Sequence, residues 1–188
     1  MELAQALPFR FKSRPGIAIP GALATKDQIA AEWAKLKGNP GVAHDAFTAF
    51  DPLTELELSD DAMNSLILTR VTDNESFLKH QPWFKDFDTW PADAQLGLLS
   101  MAWAMGPDGP GQFPHFRAAC QAMDFNTAAA QSQMDATQNP GLVPRNKANS
   151  VLFSNAAMVL AGEAKGSFQR SVLYYPQALK TGGPESTG

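Results

Sequence analysis

The sequence predicts an all-α fold, a helical bundle around one buried central helix with an irregular segment before it. The central helix is the run WPADAQLGLLSMAWAMG at residues 90–106, where only Gln95, Gly97 and Ser100 interrupt the apolar residues between 94 and 105. A helix that is hydrophobic on all sides is buried in a core. At about 15 residues this one is too short to cross a bilayer, which takes about 20. Apolar residues elsewhere recur at helical spacing, and no two stretches alternate as a pair of strands would.

The ends of this central helix are marked by their residue types. Pro91 suits the first turn, where no backbone N–H is needed, and Asp93 lies at the positive end of the helix dipole. Gly106 followed by Pro107 is a typical helix stop. We therefore predict a helix over residues 91–105.

Two helices are predicted before it. Residues 1–24 are rich in proline and glycine and should be irregular, apart from a short extended piece. Thr25 and Gln28 form a capping box that opens a helix over 25–37. After a loop or short extended stretch, Ser59 caps a second helix over 59–80, whose inward apolar stripe has near-helical spacing: Met63, Leu66, Ile67, Val71, Phe77 and Leu78.

Three further helices follow the central one. The first opens at Phe113-Pro114 and runs to about 123, the second is capped by Asp124 or Asn126 and runs to about 134, and the last covers about 145–161. The predicted organisation is an irregular segment at 1–24, a helical domain at 25–175 and a flexible tail at 176–188.

Charge, cysteine count and the N-terminal residues argue against several classes of function. The 188 residues carry a net charge of −4, which argues against nucleic-acid binding and gives no attraction to an anionic surface. The single Cys120 excludes an internal disulfide. The first residues do not resemble a signal peptide, so we expect synthesis in the cytoplasm, with export by a phage or a secretion apparatus if the protein acts outside the cell. Membrane insertion is not expected.

Common catalytic motifs are absent from the sequence, which holds no nucleotide-binding glycine loop, HExxH or CxxC. His44, His80 and His115 share no ligand spacing, so we expect neither a metal nor a cofactor. Ser100 is interpreted as a core hydroxyl bonded back to its own helix, and Cys120 as a buried structural thiol. The acidic residues fall mostly in first turns of helices or on exposed faces.

A resemblance supplies what the residues alone do not. The run WPADAQLGLLSMAWAMGPDGPGQFPHFRAACQAMDFNTAAAQ, followed by NPGLVPRNKANSVLF, resembles the C-terminal helical lobe of phage-type lysozymes. The resemblance covers roughly residues 58–160 and makes helix 59–80 the one that joins two lobes. It implies a glycoside hydrolase that acts on peptidoglycan, and it implies substrate-binding roles for Arg145, Asn146 and Trp103. For Arg145 and Asn146, capping of the last helix is an equal alternative, and for Trp103 a place in the core.

The sequence departs from that family at the catalytic end. Lysozymes of this type carry a catalytic glutamate near the N-terminus, followed by a small β-hairpin, and neither is recognisable here. The catalytic residue is therefore unknown. A different acid such as Glu32, Asp45 or Asp51 could have taken over. Ala104-Met105 also replaces the polar residue that the family often places before the glycine turn.

Two classes of function follow. The first is a muramidase-type hydrolase of peptidoglycan, truncated or inactive as given. The second is a non-catalytic lysozyme-like module that binds a glycan or a protein partner.

Overall fold

The computed structural model describes residues 7–39, 47–163 and 165–180, without the side chains of residues 47 and 48. The prediction of an all-α fold with an irregular N-terminal segment is confirmed. In chain order the elements are β1 (Arg10–Phe11), α1 (Lys26–Lys37), α2 (Phe47–Phe50), β2 (Leu56–Glu57), α3 (Asp60–Lys79), α4 (Ala92–Met105), α5 (Pro114–Gln121), α6 (Phe125–Gln131) and α7 (Leu142–Glu163). Within the described ranges, no helix combines the length and apolarity that a membrane crossing needs.

The chain divides into two compact units, residues 1–69 and residues 70–188. The division falls inside α3, so this single helix begins in unit 1 and ends in unit 2. The domain bounds at 24/25 and 175/176 stay a prediction.

Unit 1 contains a predicted helix and an unpredicted sheet. The capping box forms as expected: the Thr25 hydroxyl accepts from the Gln28 N–H, and the Gln28 side chain accepts from the Thr25 N–H. β1 pairs with β2 in antiparallel register, with Arg10 opposite Glu57. The expectation of no strand pair was wrong, because strands of two residues are too short to show alternation in the sequence.

Burial in unit 1 is sparse. The buried hydrophobic residues that the structure describes there are Ile29 and Leu56. The first half of α3 also leaves its apolar stripe open, with Met63 45% and Ile67 41% exposed. The predicted inward stripe is thus wrong at these two positions and at Phe77, which is 38% exposed, whereas Leu78 in unit 2 is fully buried. Spacing along a helix predicts which residues share a face, but burial needs a neighbouring element to cover that face.

The core of unit 2 is an aromatic cluster around α4. Phe116 meets Phe153 edge-on at 5.2 Å between ring centroids, and Trp90 meets Phe125 in the same way at 5.3 Å. Gly97 on α4 lets Phe153 come close, since a Cβ at this position would lie 2.9 Å from the Phe153 ring. Glycine is therefore required here for packing, although it weakens a helix intrinsically.

The later helices agree with their predicted caps. Asp124 caps α6 by accepting from the Thr127 N–H, at 3.1 Å, and it is Asp124 rather than Asn126 that does so. α7 begins at Leu142, three residues earlier than predicted, because Pro144 is tolerated in a first turn.

Residues 168–179 lie along unit 2 without regular structure, and we call them the C-terminal strap. Buried side chains on two helices hold the strap. Asp93 of α4 accepts from the backbone N–H groups of Tyr174 and Tyr175, at 2.9 and 3.0 Å. Asn155 of α7 donates to the Gln177 carbonyl and accepts from the Leu179 N–H. Gln177 and Leu179 fall in the predicted flexible tail, and these hydrogen bonds connect them to α7.

Candidate functional site

One face of α4 is open, although the sequence predicted complete burial of this helix. Leu96 is 37% and Trp103 44% exposed, and the half-buried Ser100 lies between them. Residues at i, i+4 and i+7 share one face of a helix, so these three side chains form a stripe. The prediction of complete burial fails because the helices around α4 cover its other faces only.

Arg145 lies beside this stripe. Its Nη1 donates to the Ser100 hydroxyl at 3.1 Å and to the Ser100 carbonyl at 3.3 Å. The Ser100 hydroxyl thus bonds to Arg145 on α7, whereas we expected it to bond to its own helix. A guanidinium has five N–H donors in a planar fork. Those on Nε and Nη2 of Arg145 donate to none of the residues that the structure describes, so they can receive an acceptor from outside.

We call Leu96, Ser100, Trp103 and Arg145 the α4 surface. It combines an exposed indole with a charged fork that a hydroxyl holds in position. A tryptophan offers a large apolar face, and an arginine offers directed donors for hydroxyl or carboxylate oxygens. The arrangement can therefore bind a ligand that has both an apolar face and oxygen acceptors.

Asn146, the third residue that the resemblance makes substrate-binding, is used differently. Asn146 is buried, with 8% of the residue exposed. The amide accepts from the Met134 N–H at 3.0 Å and donates to the Met134 carbonyl at 2.8 Å. This two-point contact ties α7 to the segment that follows α6, which favours a structural role.

The candidate acids lie in unit 1, and both described ones are engaged. The carboxylate of Glu32 accepts from the backbone N–H groups of Glu55 and Leu56, and so holds α1 to the segment around β2. Asp51 pairs with Lys12 at 2.6 Å, and this hydrogen bond and the charge of Lys12 lower the pKa of Asp51. Asp45 lies outside the described residues.

The remaining reactive groups show no site. Cys120 is buried, as expected for a structural thiol, and burial raises its pKa far above the ordinary value. His80 contacts the Ser76 carbonyl of its own helix at 2.6 Å, and His44 lies outside the described residues. In the part of the chain that the structure covers, no three histidine, cysteine or acidic residues come together as metal ligands would.

The residue that sequence reasoning missed is Asp93. It is fully buried, and beyond its two strap contacts it accepts from the Asn155 amide at 2.9 Å. An acid inside an apolar run was a visible signal, but we interpreted it through the helix dipole alone. Asp93 is a positioning group for the strap, since its carboxylate accepts from the backbone N–H groups of Tyr174 and Tyr175.

Comparisons with protein-family models, with curated proteins and with solved structures find no match to this chain. The class of protein is therefore defined by its architecture alone. It is a mainly helical protein whose central helix carries an exposed tryptophan one turn from a serine that accepts from an arginine.

Proposed function

We propose that this chain is a lysozyme-like protein directed at bacterial peptidoglycan and that it binds the glycan through the α4 surface. The observation that carries the proposal is the exposure of Trp103 one turn from the Ser100–Arg145 contact. A fully apolar helix would be expected to bury its tryptophan. An open indole one turn from an arginine contact, with guanidinium donors that no described residue accepts from, suits a sugar ring, which has an apolar face and a rim of hydroxyl groups.

The order of the elements also supports the proposal. The resemblance implies a long helix that joins two lobes, and α3 begins in one compact unit and ends in the other. It further implies a buried helix ending at a glycine turn, then two short helices and a long last one. α4 ends at Gly106, which has a φ of +84°, and α5, α6 and α7 follow in that order.

The candidate acids favour binding over cleavage. Glycosidases use two carboxyl groups, and the general acid needs a raised pKa to hold its proton near neutral pH. Asp51 has its pKa lowered by Lys12, and one carboxylate oxygen of Glu32, Oε1, accepts from two backbone N–H groups. We therefore propose a binding module as the activity of this chain.

Hydrolysis is the second candidate function, and the Arg145 donors on Nε and Nη2, which none of the described residues accepts from, favour it. In lysozymes of the type that the chain resembles, the basic residue at this position can pair with the catalytic carboxylate. An acid that reaches Nη2 of Arg145 would complete such a pair. Glu32, Asp45 and Asp51 are the positions to substitute if the protein cleaves.

The test is retention of the full chain on insoluble peptidoglycan. Trp103→Ala and Arg145→Ala should each weaken retention about tenfold or more, as expected for an aromatic or arginine residue at the centre of a contact. Trp33→Ala is a matched control, because Trp33 is also 44% exposed but lies in unit 1. Arg70→Ala, at an exposed position on α3, controls for loss of one positive charge. Equal retention of all five proteins would contradict the proposal.

Turbidity of the same peptidoglycan separates the two candidate functions. Binding without loss of turbidity supports the binding module. Loss of turbidity that Arg145→Ala abolishes would instead make the chain a hydrolase with Arg145 beside its cleft. Loss that is indifferent to Arg145 would place the chemistry elsewhere and contradict both assignments of this surface.

A further inference from the structure

A concave site lies at the N-terminal end of α4, away from the α4 surface. It has a volume of about 650 Å³, within the range of roughly 300–1,000 Å³ that is typical of small-molecule sites. Its lining residues come from the turn before α4, from the first turn of α4 and from the strap: Asp88, Thr89, Trp90, Ala92, Gln95, Arg170 and Ser171. Ala92 and Trp103 are eleven residues apart on one helix, so at 1.5 Å per residue this cavity lies roughly 16 Å along the axis from Trp103.

The charges of this cavity are already paired. Arg170 donates to both carboxylate oxygens of Glu163, and its closest approach is 2.7 Å. Asp88 pairs with Lys79 at 2.6 Å. An ionic ligand would have to compete with these two ion pairs. An uncharged ligand would leave both of them intact.

The rest of the lining offers hydrogen bonds without charge. Ser171 is exposed, and Thr89 carries a hydroxyl that donates to the Asp86 carbonyl while its lone pairs can still accept. The Gln95 amide donates to the Trp90 carbonyl at 3.0 Å, and its oxygen accepts from none of the described residues. Trp90 is only 2% exposed, and its indole N–H has no acceptor in the described structure.

We propose that this cavity binds an uncharged sugar residue. Hydroxyl groups can both donate and accept, which matches a lining of two hydroxyls and an amide oxygen. The apolar wall that Trp90 and Ala92 form suits the C–H face of a sugar ring. The proposal does not depend on the function of the α4 surface, because the two sites share no residue.

The test uses the full chain carrying Trp103→Ala, so that the α4 surface contributes no signal. N-acetylglucosamine is titrated into the ¹⁵N-labelled protein, and the indole N–H resonances are followed by NMR. We expect a saturable shift of the Trp90 resonance, with the Trp33 resonance unchanged. Ser171→Leu, which puts a larger side chain at an exposed position of the lining, should raise the Kd about tenfold, a change of about 1.4 kcal/mol.

Ser167→Leu is the matched control. Ser167 is exposed like Ser171 and lies four residues before it, but it does not line the cavity. The Kd of the Ser167→Leu protein for N-acetylglucosamine should therefore stay unchanged. Absence of a Trp90 shift up to the solubility limit of the sugar would overturn the proposal, as would a shift that Ser171→Leu leaves intact. Tighter binding of glucuronate than of N-acetylglucosamine would overturn the assignment of an uncharged ligand. None of these outcomes bears on retention through Trp103.

Discussion

Removal of the Asp93 carboxylate should release the C-terminal strap and destabilise unit 2. In Asp93→Ala three hydrogen bonds are lost: one from the Asn155 amide, which keeps the Gln177 carbonyl as an acceptor, and those from the backbone N–H groups of Tyr174 and Tyr175. Each buried donor left without a partner costs about 1–3 kcal/mol. Relief of the buried charge offsets part of this cost, because a carboxylate is expensive to remove from water. We therefore expect a net loss of about 3–5 kcal/mol.

The assay is urea unfolding in a Trp33→Phe background. Without Trp33, the remaining tryptophans, Trp83, Trp90 and Trp103, all report on unit 2. For a chain of this size a loss of about 4 kcal/mol corresponds to a fall in Tm of roughly 10 °C. Asp73→Ala on the exposed face of α3 is the control, and it should stay within about 0.5 kcal/mol of the parent.

A second readout distinguishes strap release from general weakening. Trypsin can cleave after Arg170, and cleavage needs the local backbone to open. Asp93→Ala should speed up this cut far more than cuts after Arg117 on α5. A loss below about 1 kcal/mol, or equal acceleration at both sites, would refute the role of Asp93 as the holder of the strap.

Three further predictions concern other contacts. Gly97→Ala should cost about 1–2 kcal/mol in urea unfolding, because the added Cβ meets the fully buried Phe153 ring, and Phe153→Leu in the same chain should remove most of that cost. Cys120 should react with a thiol reagent in native protein only as fast as the protein opens, because burial raises its pKa, and rapid reaction without denaturant would contradict this. Lys12 lowers the pKa of Asp51 below 3.8, so the pair stabilises unit 1 above that pH, and this stabilisation is lost as the pH falls through the lowered value. In Lys12→Met, the free energy of unfolding should therefore change less with pH in this acidic range.

Caps and stop residues predicted most of the helices because they act locally. Thr25 and Asp124 satisfy N–H groups three residues away, and such short-range chemistry is visible in the sequence. The pairing of Asp93 with Tyr174 spans 81 residues, and no local pattern announces it. For the same reason the spacing of the apolar residues along α3 could be predicted from the sequence. The exposure of Met63 could not, because it depends on which other elements cover that face.

The candidate site was predicted in part. The resemblance pointed to Trp103 and Arg145, and the structure links the helix face of Trp103 to Arg145 through Ser100. The resemblance did not predict that the Asn146 amide would bind the Met134 backbone. The partner of a polar side chain on a helix depends on which neighbouring backbone groups lack a hydrogen bond. The open face of α4 could not be read from a run that is apolar on every side.

The strap also has a consequence for how the chain folds. The first N–H of α4, that of Ala92, donates to the Arg170 carbonyl at 2.7 Å, so the start of this helix is completed by a residue made almost eighty positions later. During synthesis α4 leaves the ribosome long before that acceptor exists. Contacts this distant in sequence must close a long loop, which slows folding. Unit 2 should therefore reach its native state only after the ribosome has synthesised the strap and the strap has left the exit tunnel. A chain stalled before Arg170 should stay sensitive to proteases.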